Sequence, residues 1–308
     1  MHWAQAGEAG FLGGMRFLHW LYRHGGIRVF RVCLFFVIFW FFLVQGTARR
    51  ASLEYLTRLH ATSGGATPAP TLLNGFRHFM RFGETILDKL LAMNMREEVQ
   101  EPYRAKGSEV FNHLLSQGRG ALIITAHFGN LERCRRFAHD HRSHVRFTFL
   151  AHTRHAERFQ RILRSMNPAH DIDLLQVDNV DIGTAMLLSE RVASGGVVVV
   201  AGDRIPVVLG KNPTLTSSFL GKEAHFPVGP YILGAALGCP VLTVFSARSQ
   251  EGFSLTARLL AERIDLPRKS REAAIQSYLD TYVAALSEEC VKNPLQWFNF
   301  HPFWQPPA

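Results

Sequence analysis

The sequence predicts an α/β fold in which a largely parallel central sheet is flanked by helices. From about Ser108 onward, short apolar runs alternate with segments of helical periodicity, as expected of a sheet covered on both faces. Gly195 and Gly196 directly precede the run VVVVA, so a helix stop leads into a central strand. The chain has 308 residues and 47% hydrophobic content, which is enough to bury a large core.

The first predicted element is an apolar N-terminal helix. The run Val32–Val44 carries no charged residue and is rich in phenylalanine. A spanning helix needs about 20 apolar residues, whereas about 10 to 14 more often form a buried or interfacial helix. We predict that this helix anchors the protein in a membrane, because arginines flank it and can bind lipid headgroups; a helix of the protein core is the alternative. The arginines are Arg16, Arg23, Arg28, Arg31, Arg49 and Arg50.

A linker and a second helix precede the main domain. Ser63–Thr71, SGGATPAPT, has the glycine, serine and proline content of a connector. Leu72–Met93 shows apolar residues at helical spacing and is predicted to pack against the domain. We divide the chain into a membrane-associated helical segment at residues 1–60, a linker at 61–71 and an α/β domain at 72–308.

Alternating strands and helices are predicted in the rest of the α/β domain. The strands are Ala121–Ala126, Val145–Ala151, Leu174–Val177, Val197–Ala201, Val241–Phe245 and Phe253–Leu259. The helices are Ser108–Gln117, Leu131–His139, Ala156–Met166, Val180–Ala193, Gly229–Leu237 and Ser270–Lys292. Ligands of such sheets bind beyond the carboxyl ends of the strands, so functional residues are expected there.

Polar side chains follow three of these strands. His127 follows the first strand, His152 the second, and Asp203 with Arg204 the fourth. Because parallel strands end at one edge of a sheet, these side chains predict a single shared cleft. The alternative interpretation is that they are ordinary loop residues without a common function.

The segment around His127 carries the strongest candidate for catalysis. Ala121–Glu132 reads ALIITAHFGNLE, so a glycine-containing turn separates His127 from Glu132. A neutral imidazole can remove a proton from an alcohol, while a carboxylate fixes its tautomer and stabilises the imidazolium. We predict His127 as a general base and Glu132 as its orienting partner. A purely structural histidine is the alternative, since an isolated H-x4-E pattern is common.

Several other chemistries lack their sequence signatures. The chain contains no GxSxG, GxxxxGK[ST], GxGxxG or HExxH motif, which disfavours covalent catalysis by serine, nucleotide hydrolysis and zinc proteolysis. The four cysteines form no CxxC pair, so neither a zinc site nor a disulfide framework is expected, and a reducing cytoplasmic setting fits best. His139, His141 and His144 lack the spacing of zinc ligands, so no metal is predicted there.

The net charge of +9 indicates an anionic partner. Such a partner is a membrane surface, a nucleic acid or an acidic carrier protein. Nucleic acid is disfavoured, because the aromatic residues concentrate in the N-terminal run and the tail and do not interleave with a basic stripe.

Three segments, taken together, resemble a known family. HFGNLE at 127–132, GDR at 202–204 and SSFLGKEAHFPVGP at 217–230 look like the motifs of the late acyltransferases of lipid A biosynthesis. Those lauroyl and myristoyl transferases belong to the lysophospholipid acyltransferase superfamily. The resemblance covers most of the chain, and its specificity lies in the order of the motifs. It implies a glycerolipid acyltransferase-like fold and an enzyme that transfers acyl groups.

The resemblance also implies roles for individual residues. His127 would take the proton of the acceptor hydroxyl with Glu132 as its partner, and no metal or other cofactor is implied. The donor would be an acyl thioester. Acyl carrier protein is the favoured carrier of this thioester, and CoA is the less favoured one. The residues implied to bind substrates are Phe128, Gly129, Asn130, Arg154, Asp203, Arg204, Phe219, Leu220, Gly221, Lys222 and Pro227. For Lys222, a solvated surface charge is an equal alternative.

The C-terminal segment departs from the family pattern. Trp297–Trp304, WFNFHPFW, lacks the double arginine of the Trp-x-His-Arg-Arg-Phe type motif, so the acceptor is expected more broadly to be a lipid or glycolipid. In this departure the chain resembles acyltransferases that are encoded alongside fatty-acid or polyene synthesis systems. The tail is expected either to pack on the core or to lie at the membrane interface.

Two hypotheses from different classes follow. The first is a membrane-associated O-acyltransferase at the bacterial inner membrane, with its catalytic domain facing the cytoplasm. The second is a membrane-anchored lipid-binding or scaffold protein with a vestigial acyltransferase site. The second predicts lipid binding without turnover, so a supply of acyl thioester with mixed lipid acceptors separates the two.

Overall fold

A seven-stranded sheet lies at the centre of the computed structural model, which describes residues 9–94, 103–130, 145–151, 172–176, 182–205, 213–249 and 252–306. Its strands are β1 (Tyr103–Lys106), β2 (Ala121–Thr125), β3 (Phe147–Ala151), β4 (Ile172–Gln176), β5 (Val197–Ala201), β8 (Val241–Ser249) and β9 (Gly252–Ala261). A separate hairpin consists of β6 (Thr214–Phe219) and β7 (Lys222–Pro227).

The order of the strands in the sheet is β1-β9-β8-β2-β5-β3-β4. Every neighbouring pair is parallel except β8 and β9, which are antiparallel. The prediction of a largely parallel sheet is therefore confirmed, and each predicted strand is present. The sequence reading missed the four-residue strand β1 and the β6–β7 hairpin.

Helices flank this sheet, as predicted. The helices in the described residues are α1 (Ala9–Val44), α2 (Gly46–Thr62), α3 (Leu72–Asn94), α4 (Ser108–Ser116), α5 (Ile182–Ala193), α6 (Gly229–Leu237) and α7 (Arg271–Lys292). Helix α3 and helices α4 to α7 coincide with predicted helices to within two residues at each end. The predicted helices Leu131–His139 and Ala156–Met166 lie outside the described residues.

The central strands β2 and β5 are apolar on both faces because both faces are covered. Side chains alternate across a strand, so even-numbered and odd-numbered residues enter different core clusters. Leu122 and Ile124 pack in the cluster that contains Leu279 of α7. Ala121 and Ile123 pack in the cluster that contains Phe111 of α4. This two-sided burial explains why both strands read as continuous apolar runs.

Over its described side chains, helix α1 packs against the rest of the protein along one face. Phe30, Leu34, Ile38 and Phe42, spaced four residues apart, are buried with Phe79 of α3. The same helix leaves large apolar side chains exposed: Val29, Val32, Phe35, Phe36, Val37, Phe39, Trp40, Phe41, Leu43 and Val44.

The predicted membrane-anchoring helix is not confirmed as a single span. Among the described residues, no one helix is long and apolar enough to cross a membrane. Arg28–Val44 and Gly46–Thr62 have the required length and composition only together, and a bend of 93° separates them.

The aromatic tail packs on the core, one of its two expected positions. Trp297, Phe303 and Trp304 are buried in the cluster that also contains α7 and the β6–β7 hairpin. The tail therefore belongs to the same packed body as the sheet.

Candidate active site

The adjacent strands β2 and β5 bring two of the predicted site residues together. In the parallel pairing of these strands, Thr125 lies opposite Ala201. His127 and Asp203 each follow two residues later, so both leave the carboxyl edge of the sheet at the same level. This edge is where parallel sheets bind ligands.

His127 and Asp203 are joined by two hydrogen bonds. The Nδ1 atom of His127 lies 2.8 Å from Oδ1 of Asp203, and the main-chain N–H of His127 donates to Oδ2 at 2.9 Å. The Asp203 residue is 2% exposed, whereas the His127 side chain is 38% exposed. The carboxylate is therefore buried behind an imidazole that reaches the surface.

The Asp203 carboxylate is ionised and selects one tautomer of His127. Burial by itself raises the pKa of Asp203. The charge and hydrogen bonds of His127, together with the guanidinium charge of Arg204, outweigh this effect and bring the pKa down to about 2. An ionised carboxylate can only accept hydrogen bonds, so the proton of the neutral imidazole sits on Nδ1. Nε2 is then the basic nitrogen of His127.

Trp297 in the tail supports the same carboxylate. Its indole Nε1–H donates to Oδ2 of Asp203 at 2.9 Å. The neighbouring main-chain N–H of Phe298 donates to the carbonyl of His127 at 2.8 Å. One tail segment thus holds both members of the pair. Sequence reasoning assigned no site role to Trp297, because its approach to Asp203 depends on how the tail folds back.

The turn after His127 needs a glycine. Gly129 has a φ of 54°, and its main-chain N–H donates to the carbonyl of Gln296 at 2.8 Å. A Cβ atom at this position would lie 1.8 Å from the carbonyl oxygen of Ser246. Phe128 and Asn130, on either side, are both buried. The side-chain amide of Asn130 has no hydrogen-bond partner among the described residues.

The GDR segment is fitted closely to the core. A Cβ atom on Gly202 would lie 3.0 Å from the ring of Tyr282, so only glycine fits without a shift of its neighbours. Arg204 donates to the carbonyl of Phe298 at 3.1 Å. Burial lowers the pKa of the Arg204 guanidinium, whereas the charge of Asp203 raises it. A cation is therefore held beside the buried carboxylate.

The predicted FLGK segment lies behind the site. Phe219 is buried, with its ring centroid 5.0 Å from that of Trp297, and its carbonyl accepts a hydrogen bond from Trp304 Nε1 at 3.2 Å. Leu220 and Gly221 form the tight turn, with φ values of 50° and 77°. Leu220 and Pro227 are buried, whereas Lys222 is exposed.

Three predicted residues cannot be placed. Glu132, Arg154 and His152 lie outside the described residues, so the predicted pairing of His127 with Glu132 is not among the contacts described. Within the described part of the chain, no three His, Cys, Asp or Glu side chains cluster as a metal site requires.

Comparison with known proteins gives one family. The sequence model of the bacterial lipid A biosynthesis acyltransferases matches residues 76–306, most of the chain, including His127, Asp203 and Trp297. No curated protein matches the chain at a significant level.

Proposed function

Because this chain belongs to the family of bacterial lipid A biosynthesis acyltransferases, we propose that it moves a fatty acyl chain from an acyl thioester to a hydroxyl of a lipid A-like acceptor. The family establishes an acyltransferase and agrees with the motif resemblance. The thioester donor, the catalytic residues and the membrane are our proposals.

His127 is the proposed general base. Its Nε2 takes the proton of the acceptor hydroxyl while the hydroxyl oxygen attacks the thioester carbonyl carbon. The C–S bond of the tetrahedral intermediate then breaks and releases the thiolate. The imidazolium gives its proton to this thiolate. Asp203 stabilises the imidazolium and keeps Nδ1 protonated. General base catalysis of this kind contributes about 10²- to 10⁴-fold, and positioning supplies much of the rest.

The geometry of the His127–Asp203 pair carries this proposal. A histidine with only a packing role needs no buried, ionised carboxylate at 2.8 Å. Here the carboxylate is buried and the imidazole is partly exposed, which is the arrangement that an oriented base requires. Glu132 remains a second proposed catalytic residue. Asp203 is hydrogen-bonded to Nδ1 of His127, so we assign to Asp203 the orientation of the imidazole ring. We assign to Glu132 a contribution to catalysis that is separate from this orientation.

Two described residues are well placed to contact substrates. Asn130 is buried three positions after His127, and its side-chain amide has no partner within the described part of the chain. Buried polar groups of this kind are costly unless a ligand or water binds them. Arg204 supplies positive charge beside Asp203 for an anionic acceptor group. The proposed substrate-binding set also keeps Phe128, Gly129, Arg154, Asp203, Phe219, Leu220, Gly221, Lys222 and Pro227.

The exposed face of α1 is the proposed membrane contact. Phe36 and Trp40 are each 64% exposed on this face, and Leu72 and Leu73 are exposed at the start of α3. Contiguous exposed apolar side chains mark interaction sites, and tryptophan favours the membrane interface. We propose that the protein sits on the cytoplasmic side of the bacterial inner membrane and takes its acyl chain from acyl carrier protein.

Acyl transfer by the purified protein tests this proposal. Acyl carrier protein thioesters and acyl-CoA are supplied with lipid A precursors or with phospholipids, and thiol release and lipid mass are measured. We expect His127→Ala to lose at least about 10²-fold in kcat. Wild-type transfer by a folded His127→Ala protein would show that the base is another residue.

Paired carboxylate variants separate Asp203 from Glu132. If Asp203 orients the imidazole, Asp203→Asn lowers kcat by about 10²-fold or more, because an amide no longer stabilises the imidazolium. A larger loss in Glu132→Gln than in Asp203→Asn would transfer the orienting role to Glu132.

A further inference from the structure

A buried chain of hydrogen bonds leads from helices α2 and α3 to the site. Ser52 Oγ lies 2.9 Å from Nδ1 of His78, and Nε2 of His78 lies 2.9 Å from the carbonyl oxygen of Trp297. The indole of Trp297 then donates to Asp203 at 2.9 Å. Ser52, His78, Trp297 and Asp203 are all buried.

The direction of each bond in this chain is determined. A carbonyl oxygen only accepts, so Nε2 of His78 carries the proton, and Nδ1 accepts from the Ser52 hydroxyl. Burial lowers the pKa of His78 to about 4, although its bond to Trp297 acts in the opposite direction. The ring is therefore neutral near pH 7 and held in one tautomer. Every donor in the chain points toward the Asp203 carboxylate.

The bond from His78 is not needed to satisfy the Trp297 carbonyl. That oxygen already accepts the main-chain N–H of Asn299 at 2.9 Å. The ring of His78 is also packed between α2 and the tail, with its centroid 5.4 Å from that of Tyr55 and 4.8 Å from that of Phe300. An apolar side chain could provide this packing. What the imidazole adds is a hydrogen bond that fixes the position of the Trp297 main-chain carbonyl.

We propose that His78 is a positioning residue for acyl transfer, which holds Trp297 and, through Trp297, the Asp203 carboxylate that orients His127. This inference rests on the proposed function. It joins the helices that follow the exposed apolar helix α1 to the proposed base.

Two amide variants of His78 test this role. The amide of His78→Gln can still reach the Trp297 carbonyl, whereas the shorter His78→Asn reaches only toward Ser52. We expect His78→Asn to lower kcat about tenfold at nearly constant KM, the factor that one lost hydrogen bond of about 1.4 kcal/mol produces. His78→Gln stays within about threefold of the wild type by the same reasoning.

A matched control lies on the same helix. Thr85 is buried on α3, and among the described residues its hydroxyl donates a hydrogen bond to the carbonyl of Arg81, one turn earlier, and to no other group. Thr85→Ala is expected to lower the unfolding midpoint without lowering kcat. Equal kcat values in folded His78→Asn and His78→Gln, or an equal loss in Thr85→Ala, would overturn the proposal.

A replacement variant is available if His78→Asn does not fold. Ser52→Ala removes the hydroxyl that donates to Nδ1 of His78, and we expect it to lower kcat about twofold. An unchanged kcat in Ser52→Ala would contradict the proposal.

A substrate-free measurement separates this inference from the proposed function. Diethyl pyrocarbonate modifies neutral imidazole, and mass spectrometry gives the rate at His127. At a pH at which the imidazole is neutral in every variant, we expect this rate to fall about threefold in His78→Asn, and less in His78→Gln, because a looser hydrogen bond from Nδ1 to the Asp203 carboxylate makes Nε2 less nucleophilic. If the wild type transfers no acyl chain but these rates differ as expected, the proposed function fails and the positioning role stands. If transfer occurs and the rates are all equal, the positioning role fails.

Discussion

At the scale of single residues, the site is a buried anion with a partly exposed base. Asp203 accepts three hydrogen bonds, two from His127 and one from Trp297. The charge and hydrogen bonds of His127, together with the charge of Arg204, keep it ionised despite its burial. Its charge fixes the tautomer of His127 and would stabilise the imidazolium formed during transfer. The sequence located both side chains at strand ends but assigned the orienting role to Glu132, because Glu132 is the carboxylate nearest in sequence.

The depressed pKa of Asp203 makes stability depend on acid. The pKa of this carboxyl is lowered from 3.8 to about 2, so its ionised form contributes stability above about pH 4. That contribution is lost as the pH falls through about 2. We expect Asp203→Asn to be less stable than the wild type by about 2 kcal/mol at pH 6, with the difference shrinking toward pH 2. Urea unfolding of both proteins between pH 6 and pH 2 measures it, and a difference independent of pH would contradict it.

At the scale of elements, the turn after β2 is specified by a close approach of two main chains. Gly129 combines a positive φ with contact against the carbonyl of Ser246 on β8. Its neighbours pair with the tail, since Phe128 bridges to Trp297. The residues HFGN were recognised from sequence as a motif, but the need for glycine comes from a strand more than a hundred positions away.

A pair of glycine substitutions isolates that close approach. Gly64 also has a positive φ, 61°, but a Cβ there would meet nothing within 4 Å. We expect Gly64→Ala to cost about 1 kcal/mol in the free energy of unfolding, and Gly129→Ala to cost about 3 kcal/mol or more and to abolish transfer. Denaturant unfolding and acyl transfer assays measure both. Similar losses of unfolding free energy in the two variants would mean that the turn after β2 accommodates a Cβ atom at little cost.

At the scale of the whole molecule, the described residues leave one apolar face of helix α1 uncovered. Helix α1 places one face on α3 and leaves the other open, and α2 turns away from it by 93°. The aromatic tail packs beneath α2 and α3 and reaches the site. The molecule therefore links a proposed membrane face to a proposed catalytic edge through contiguous packed elements. The division into residues 1–60, 61–71 and 72–308 stays a prediction.

Substituting the exposed face of α1 tests the membrane contact. Trp40→Glu removes a large apolar side chain and adds a charge, so we expect binding to vesicles with anionic lipid to fall at least about 30-fold. Met186, 68% exposed on α5, provides the control, because Met186→Glu adds the same charge away from this face. Vesicle co-sedimentation measures both variants. Equal binding by Trp40→Glu and Met186→Glu would place the contact elsewhere.

The sequence by itself determined the alternation of strands and helices, the strand-end positions of His127 and Asp203, and the family, because periodicity and motif order are local properties. Only the tertiary structure decided that Asp203 holds His127, that Trp297 supports Asp203, and that His78 reaches Trp297. These contacts depend on β2 lying beside β5 and on the tail folding back over both. Strand order and tail packing result from the burial of many side chains distant in sequence, and no local pattern records them.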